Sequence, residues 1–412
     1  MSLLKSIGWN ALGSIASKGS GFLTGIFVAR SLGPEGLGLF SLIYGLVPIV
    51  QSIGNVGLQV TGTREISVAI GRGDPPAIIG QLAGSLIQLS IFLSLIASVI
   101  IFSFGYFFYH YPALLMASGA ISSIAPVAAM GIIGFANALN RYDAIAKYNL
   151  LILLLVPLGA LIGATCGTSG ALLGTGIASI AATIIFIRMT INYSRKTGYL
   201  IQWNFNPGII YRTLCQAGPM TIITIFYLPV EWWGIYQLSM QTNGSNELGL
   251  FSIAKQISSL VLIIPGLLTG PLLANLSRLI GENNISAALN CLWKNLLISL
   301  LSIIIVGCTI YLSPHIFGKV YNVNLDNNLD LLNYSILYSA LWAIDINFGS
   351  LIFASNATYW ALISLLLRSS IILFIPLTGN FTGSDLAFNY IIANSSLLLI
   401  HLVFIMKFRM TQ

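Results

Sequence analysis

The chain has 412 residues, of which 56% are apolar and only 7% charged, and its net charge is +7. A soluble domain carries about 25% charged residues, so a water-soluble globular fold is excluded and the main solvent must be lipid. Backbone groups in lipid have to pair internally, and the apolar runs do not alternate as the strands of a barrel would, which leaves a polytopic all-α membrane protein.

Apolar windows bounded by polar residues give twelve candidate membrane helices. The first covers 8–30; Lys5 is the only charge ahead of it, and the run continues past Lys18 to Arg30, unlike a cleavable signal. LGPEGLGLFS at 32–41 then breaks the run as a tight external turn. Gly33 and Pro34 stop a helix, and Glu35 suits the positive start of the next one. Spans follow at 39–61, 79–104 and 113–138, then at 148–166 and 169–190, a pair that ATCGTSGAL separates only thinly. The connection 191–213 is basic and aromatic, with Tyr193, Arg195, Lys196, Tyr199 and Trp203, and is expected to lie against lipid headgroups. The remaining spans are 214–238, 248–273, 294–314, 331–354, 359–377 and 386–406.

The charges choose an orientation. One set of connections holds Lys5, Arg64, Arg72, Arg141, Lys147, Arg188, Arg195, Lys196, Arg212, Arg278, Lys294, Lys407 and Arg409, most of the 18 basic residues. The opposite set holds Lys319, with Arg30 at a boundary. Such asymmetry places the basic loops and both termini in the cytoplasm. Cys166, Cys215, Cys291 and Cys308 show no metal or redox spacing and are read as small apolar residues.

LGLFS at 37–41 recurs at 248–252, an offset of 211 residues, and each copy opens a span entering from outside. The expected architecture is therefore about twelve transmembrane helices in two six-helix lobes of the same orientation, with a pseudo-two-fold axis along the membrane normal. The domains would be an N-lobe over 1–190, a cytoplasmic linker over 191–213 and a C-lobe over 214–412.

VARSLGPEGLGLFSLIYGL (28–46), followed by GLQVTGTREIS (57–67), resembles the oligosaccharide (O-antigen type) flippases. These form the polysaccharide-transporter branch of the multidrug/oligosaccharidyl-lipid/polysaccharide exporter superfamily. The resemblance implies two lobes around a central cavity with alternating access, in a bacterial cytoplasmic (inner) membrane. It implies as substrate an undecaprenyl-diphosphate-linked oligosaccharide, such as a lipopolysaccharide O-antigen unit, moved from the cytoplasmic to the outer leaflet. Membrane lipid and a polysaccharide polymerase are the expected partners of a monomeric chain. Nucleic acid, a cofactor, a metal and enzymatic chemistry are not expected.

Polar residues within the spans are the candidate site, because charge at mid-bilayer costs roughly 2.5–3.5 kcal/mol on insertion scales. Lys18 shares a stripe with Ser14, Gly21 and Gly25, which suits a cation facing the protein interior; a snorkelling lysine is the alternative. Ser41, Tyr44, Pro48, Gln51, Asn55 and Gln59 fall on one helical face, to line a cavity or to bond neighbouring helices. Arg64, at the inner end of that span, either meets a diphosphate or only obeys the charge rule. Lys255, two turns into its span with Ser252 and Ser259 on its face, serves a cavity or snorkels outward. Glu231 and Arg368 sit at similar depth on two spans, as a structural ion pair or as a proton- or cation-sensitive latch. Asp345, near Tyr338, is a further titratable group or a capped interfacial acid. In the related flippases acidic side chains in these helices can bind a cation, and an arginine at 368 argues against a sodium site. Basic side chains would offset the desolvation of an anionic diphosphate. A multidrug/cation antiporter is the nearest rival and would call for interior acids. A polytopic polysaccharide-assembly enzyme would need an exposed acid pair or a large outer loop, and the outer connections are short.

Overall fold

The computed structural model describes residues 3–55, 58–59, 61–108, 110–196, 198–203, 207–208, 228–282, 284–325, 328–355, 357–374 and 381–410. The helices are α1 Leu3–Tyr44, α2 Leu46–Asn55, α3 Thr61–Arg72, α4 Pro76–Ser103, α5 Ala113–Ala138, α6 Tyr142–Ala164 and α7 Gly167–Lys196. There follow α8 over 228–239, α9 Gly244–Ser258, α10 Ile263–Gly281, α11 Ile285–Leu312, α12 Pro314–Tyr321, α13 Leu329–Ala354, α14 Thr358–Leu373 and α15 Gly383–Met410. Among the described residues no strand occurs, and nine helical runs are long and apolar enough to cross a membrane. One of these, Ala11–Ser52, takes in the first two expected spans, and Tyr359–Leu373 is a shorter apolar helix. With α8, these elements account for an all-α integral membrane fold of about twelve spans.

The chain divides into two units: Met1–Leu32 with Phe40–Leu228, and Gly33–Leu39 with Pro229–Gln412. In the first, α5 forms the centre, packed on α4 and α7. Ser90 donates to the Ala128 carbonyl at 3.0 Å, and Tyr148 stacks on Phe186 at 4.6 Å. The thinly separated fifth and sixth spans are a tight hairpin, α6 and α7, with Gly167 at φ 80°. Its seam is made of glycines. A Cβ at Gly159 would collide with the Gly174 carbonyl, and one at Gly163 with the Gly170 carbonyl. Small residues four apart on both helices let the backbones meet, as membrane helix pairs often require.

Two stretches singled out in the sequence take particular forms. The second span is marked by one turn residue, Gly45, between α1, which ends at Tyr44, and α2, which begins at Leu46; Gly45 N–H still donates to the Ser41 carbonyl at 2.8 Å. Pro48 has no N–H for the Tyr44 carbonyl, which breaks the ladder at that point. The connection after α7 is described in part. Tyr193, Arg195 and Lys196 belong to the last turn of α7, while residues 199–203 run along α4. Gln202 N–H donates to the Gly80 carbonyl at 3.1 Å, and Gln88 Nε2 donates to the Trp203 carbonyl at 2.7 Å.

In the second unit α13 lies centrally, against α9, α10, α11, α14 and α15. Leu276, Leu292, Phe348 and Leu351 are in its core. The LGPEG turn is confined to a single residue. Gly33 adopts φ 71°, a conformation that favours glycine, and the helix resumes at Pro34. This resumed segment crosses α9. A Cβ at Gly38 would collide with the Ser245 carbonyl, and one at Gly249 with the Pro34 carbonyl. Adding 211, the offset of the repeat, converts Gly38 to Gly249 and Pro34 to Ser245, so the crossing is locally two-fold. Glu247, in the first turn of α9, also reaches the start of α15: its Oε2 accepts from Gly383 N–H at 3.0 Å.

Candidate functional site

The polar residues of the second unit converge on α8, α9, α13, α14 and α15. Arg368, from the middle of α14, places Nη2 2.6 Å from Glu231 Oε1 on α8. Its Nε donates to Asn394 Oδ1 at 2.8 Å, and Asn394 Nδ2 donates to the Tyr338 carbonyl at 3.0 Å. The guanidinium carbon lies 5.0 Å from the centroid of the Trp342 ring, within cation–π range. Tyr390 supports the acid by donating its hydroxyl to the Glu231 carbonyl at 3.2 Å. The Arg368 side chain is 3% exposed and that of Glu231 18%. A buried guanidinium requires acceptors fixed in its plane; α8 and α15 each supply one here, and the Trp342 ring of α13 adds a cation–π contact.

Lys255, on α9, is the second cation at this carboxylate. Its Nζ lies 3.7 Å from Glu231 Oε2, and its side chain is 39% exposed. One acid thus faces two bases. Arg368 holds it at hydrogen-bond distance in a buried setting, and Lys255 holds it loosely from an accessible one.

A second polar group occupies another level of α13, α14 and α15. Asp345 Oδ1 lies 2.6 Å from His401 Nδ1, and His401 Nε2 lies 3.0 Å from Ser364 Oγ. The Ser364 hydroxyl also lies 2.9 Å from the Ala361 carbonyl, to which it donates. All three residues are buried. His110, His315 and His401 are far apart along the chain, so their spacing singles out none of them. The available signal was the cost of Asp345 itself, since a buried acid demands a partner.

Among the described residues, the candidates in the first unit do not form a comparable cluster. Lys18 is exposed, on the side of α1 away from Ala16, Ser20 and Thr24, which are buried. Ser20 Oγ donates to the Ile152 carbonyl of α6 at 3.1 Å, which marks the packed side. Tyr44 stacks on Phe40 at 5.3 Å, and Gln51 is half-buried on α2. Asn55 stands on α2 and Arg64 on α3; their side chains lie outside the described residues. Among the described residues no group of three or more His, Cys, Asp or Glu is arranged to hold a metal ion.

Membrane-length helices with basic and acidic side chains paired in their interior define a multi-pass all-α membrane fold. Solved structures agree. The chain matches the inward-facing conformation of a multidrug resistance MATE family transporter of the MOP superfamily, with TM-score 0.79 and 16% identity over 95% of this chain and 94% of that one. It also matches an outward-facing conformation of such a transporter, with TM-score 0.67 and 14% identity over 98% and 95%. A third match is a MOP superfamily transporter from Pyrococcus furiosus described as having a binding pocket of reverse polarity. The TM-score there is 0.66 and the identity 14%, over 98% and 95%. No curated protein matches the sequence. The family model described as "Polysaccharide biosynthesis protein" matches residues 3–276, and the chain belongs to that family.

Proposed function

We propose that the protein is a flippase. It moves an undecaprenyl-diphosphate-linked oligosaccharide, an O-antigen or related surface-glycan unit, from the cytoplasmic to the outer leaflet of the bacterial inner membrane by alternating access. The observation that carries this reading is the charge of the cluster on α8, α9 and α14. Two cations face one carboxylate, Glu231, at distances of 2.6 and 3.7 Å. Such a cluster suits an anion and repels a cationic drug. Lys255 is the side chain that exchanges Glu231 for a phosphate oxygen, being accessible and held at the longer distance. Arg368, buried and bonded on several sides, keeps Glu231 in place meanwhile. In the first half, Lys18, Arg64, Tyr44, Gln51 and Asn55 are proposed to meet the same substrate.

The family supports a role in polysaccharide assembly. One fold neighbour is itself described as having a pocket of reverse polarity that suggests a different function, which fits a cation-bearing interior on this fold. Multidrug/cation antiport is the second reading, and it draws on the multidrug transporters among the fold neighbours. Cells lacking the protein separate the two. The proposal expects lipid-linked oligosaccharide to accumulate in the inner leaflet, and wild type but not Lys255→Ala to clear it at equal protein level. Absence of accumulation, together with new sensitivity to cationic drugs, would favour antiport.

A further inference from the structure

A separate recess lies at the basic end of the first unit, between the start of α6 and the end of α7. It is an open cavity of about 260 Å³ whose lining includes Arg141, Asp143, Lys147, Met189, Tyr193 and Lys196. Arg141 donates twice to Asp143, from Nε at 2.7 Å and from Nη2 at 2.6 Å. Its guanidinium also lies 3.6 Å from the centroid of the Tyr193 ring. The carboxylate is thereby committed to Arg141. Lys147 and Lys196, both exposed, add two positive charges to the same recess.

Each lysine heads a stripe that turns apolar away from the recess. On α6 the face of Lys147 continues through Leu151, Leu154 and Leu158, at four, seven and eleven residues on, and Leu154 and Leu158 are exposed. On α7 the face of Lys196 runs back through Asn192 and Met189 to Ile185, which is exposed. We propose that this recess binds the headgroup of an anionic phospholipid, with its two acyl chains on the two stripes. Basic pockets between membrane helices take such headgroups. The volume falls below the roughly 300–1,000 Å³ of pockets that enclose a whole drug-sized ligand, which suits a phosphate group whose chains stay outside. The stripes favour a bilayer lipid over a soluble anion. Their pairing, one on each helix, favours a two-chained lipid over a single polyprenyl chain.

The test is native mass spectrometry of the purified full chain, titrated with phosphatidylglycerol, phosphatidylcholine, undecaprenyl diphosphate and inorganic diphosphate. Wild type should retain phosphatidylglycerol at least about tenfold better than phosphatidylcholine. Lys147→Ala and Lys196→Ala should each weaken phosphatidylglycerol binding about fivefold, and together about 25-fold, as expected for basic side chains at an anionic surface. The Lys147→Arg/Lys196→Arg pair should retain binding. So should Arg195→Ala, which changes a neighbouring charge outside the lining. Equal retention of the two phospholipids by wild type would overturn the proposal, and needs no variant to fold. So would full binding by the double alanine variant, or a loss in Arg195→Ala as large as in the lysine variants. Displacement of the lipid by inorganic diphosphate would overturn it in favour of a soluble anion. Selective retention of undecaprenyl diphosphate without phosphatidylglycerol would overturn it in favour of the transported substrate.

Discussion

Removing Glu231 should damage the fold more than removing Arg368 does, although the two form one ion pair. Glu231→Gln leaves a guanidinium of 3% side-chain exposure without its carboxylate, and leaves Lys255 without it too. Breaking a buried pair from one side costs about 3–5 kcal/mol. Arg368→Gln leaves Glu231 facing Lys255 at 3.7 Å, and glutamine can still bond Asn394. The expected cost is then that of imperfectly paired polar groups, about 1–3 kcal/mol. The double variant should be less destabilised than the sum of the singles. Thermal unfolding of the purified variants in detergent, followed by tryptophan fluorescence and by the fraction eluting monodisperse, reads both the order and the coupling. Additive losses, or Arg368→Gln as the worse single change, would refute the reasoning that Lys255 shares the acid.

Three further outcomes follow from particular contacts. Gly38→Ala or Gly249→Ala should sharply lower folded yield, since each added Cβ meets backbone, whereas a Cβ at Gly21 meets nothing within 4 Å and Gly21→Ala should be neutral in the same yield assay. His401→Leu should lower the unfolding temperature more than His401→Leu combined with Asp345→Leu, because the single change strands a buried acid; equal losses would separate the two residues energetically. Reporter fusions after Thr197 should read cytoplasmic and after Asn243 external, and the reverse pattern would invert the proposed direction of transport.

The spans were legible because lipid leaves few choices: a backbone in hydrocarbon must be helical, and a helix must be long enough to cross. The turn at LGPEG was legible as a break, but its economy was not. One glycine at φ 71° suffices, and nothing in the letters says that the helix resumes at once. The repeat could be seen in LGLFS, whereas its meeting at Gly38 and Gly249 could not, because contact between two helices leaves no mark on either alone. The run of residues 199–203 along α4 was hidden for a similar reason. An extended segment has no helical period, and Gly80 and Gly84, which admit it, read as ordinary small residues of a membrane helix. Glu231, Arg368 and Asp345 stood out by cost. The bonds that hold them, to Asn394, Lys255 and His401, join helices far apart in sequence, and charge arithmetic names the need for a partner without naming the partner.

The central claim is that this chain carries a diphosphate-linked glycan across the bilayer on cationic side chains. Proteoliposomes holding the purified protein and an undecaprenyl-diphosphate-linked oligosaccharide test it most directly, with a membrane-impermeant glycosidase reporting the sugar that reaches the opposite leaflet. The account predicts rapid exposure of sugar with wild type, a loss of most of it with Lys255→Ala or Lys18→Ala, and partial retention with Lys18→Arg, which keeps the charge but alters its shape. Exposure no faster than in protein-free vesicles, or undiminished by either alanine substitution in monodisperse protein, would contradict it.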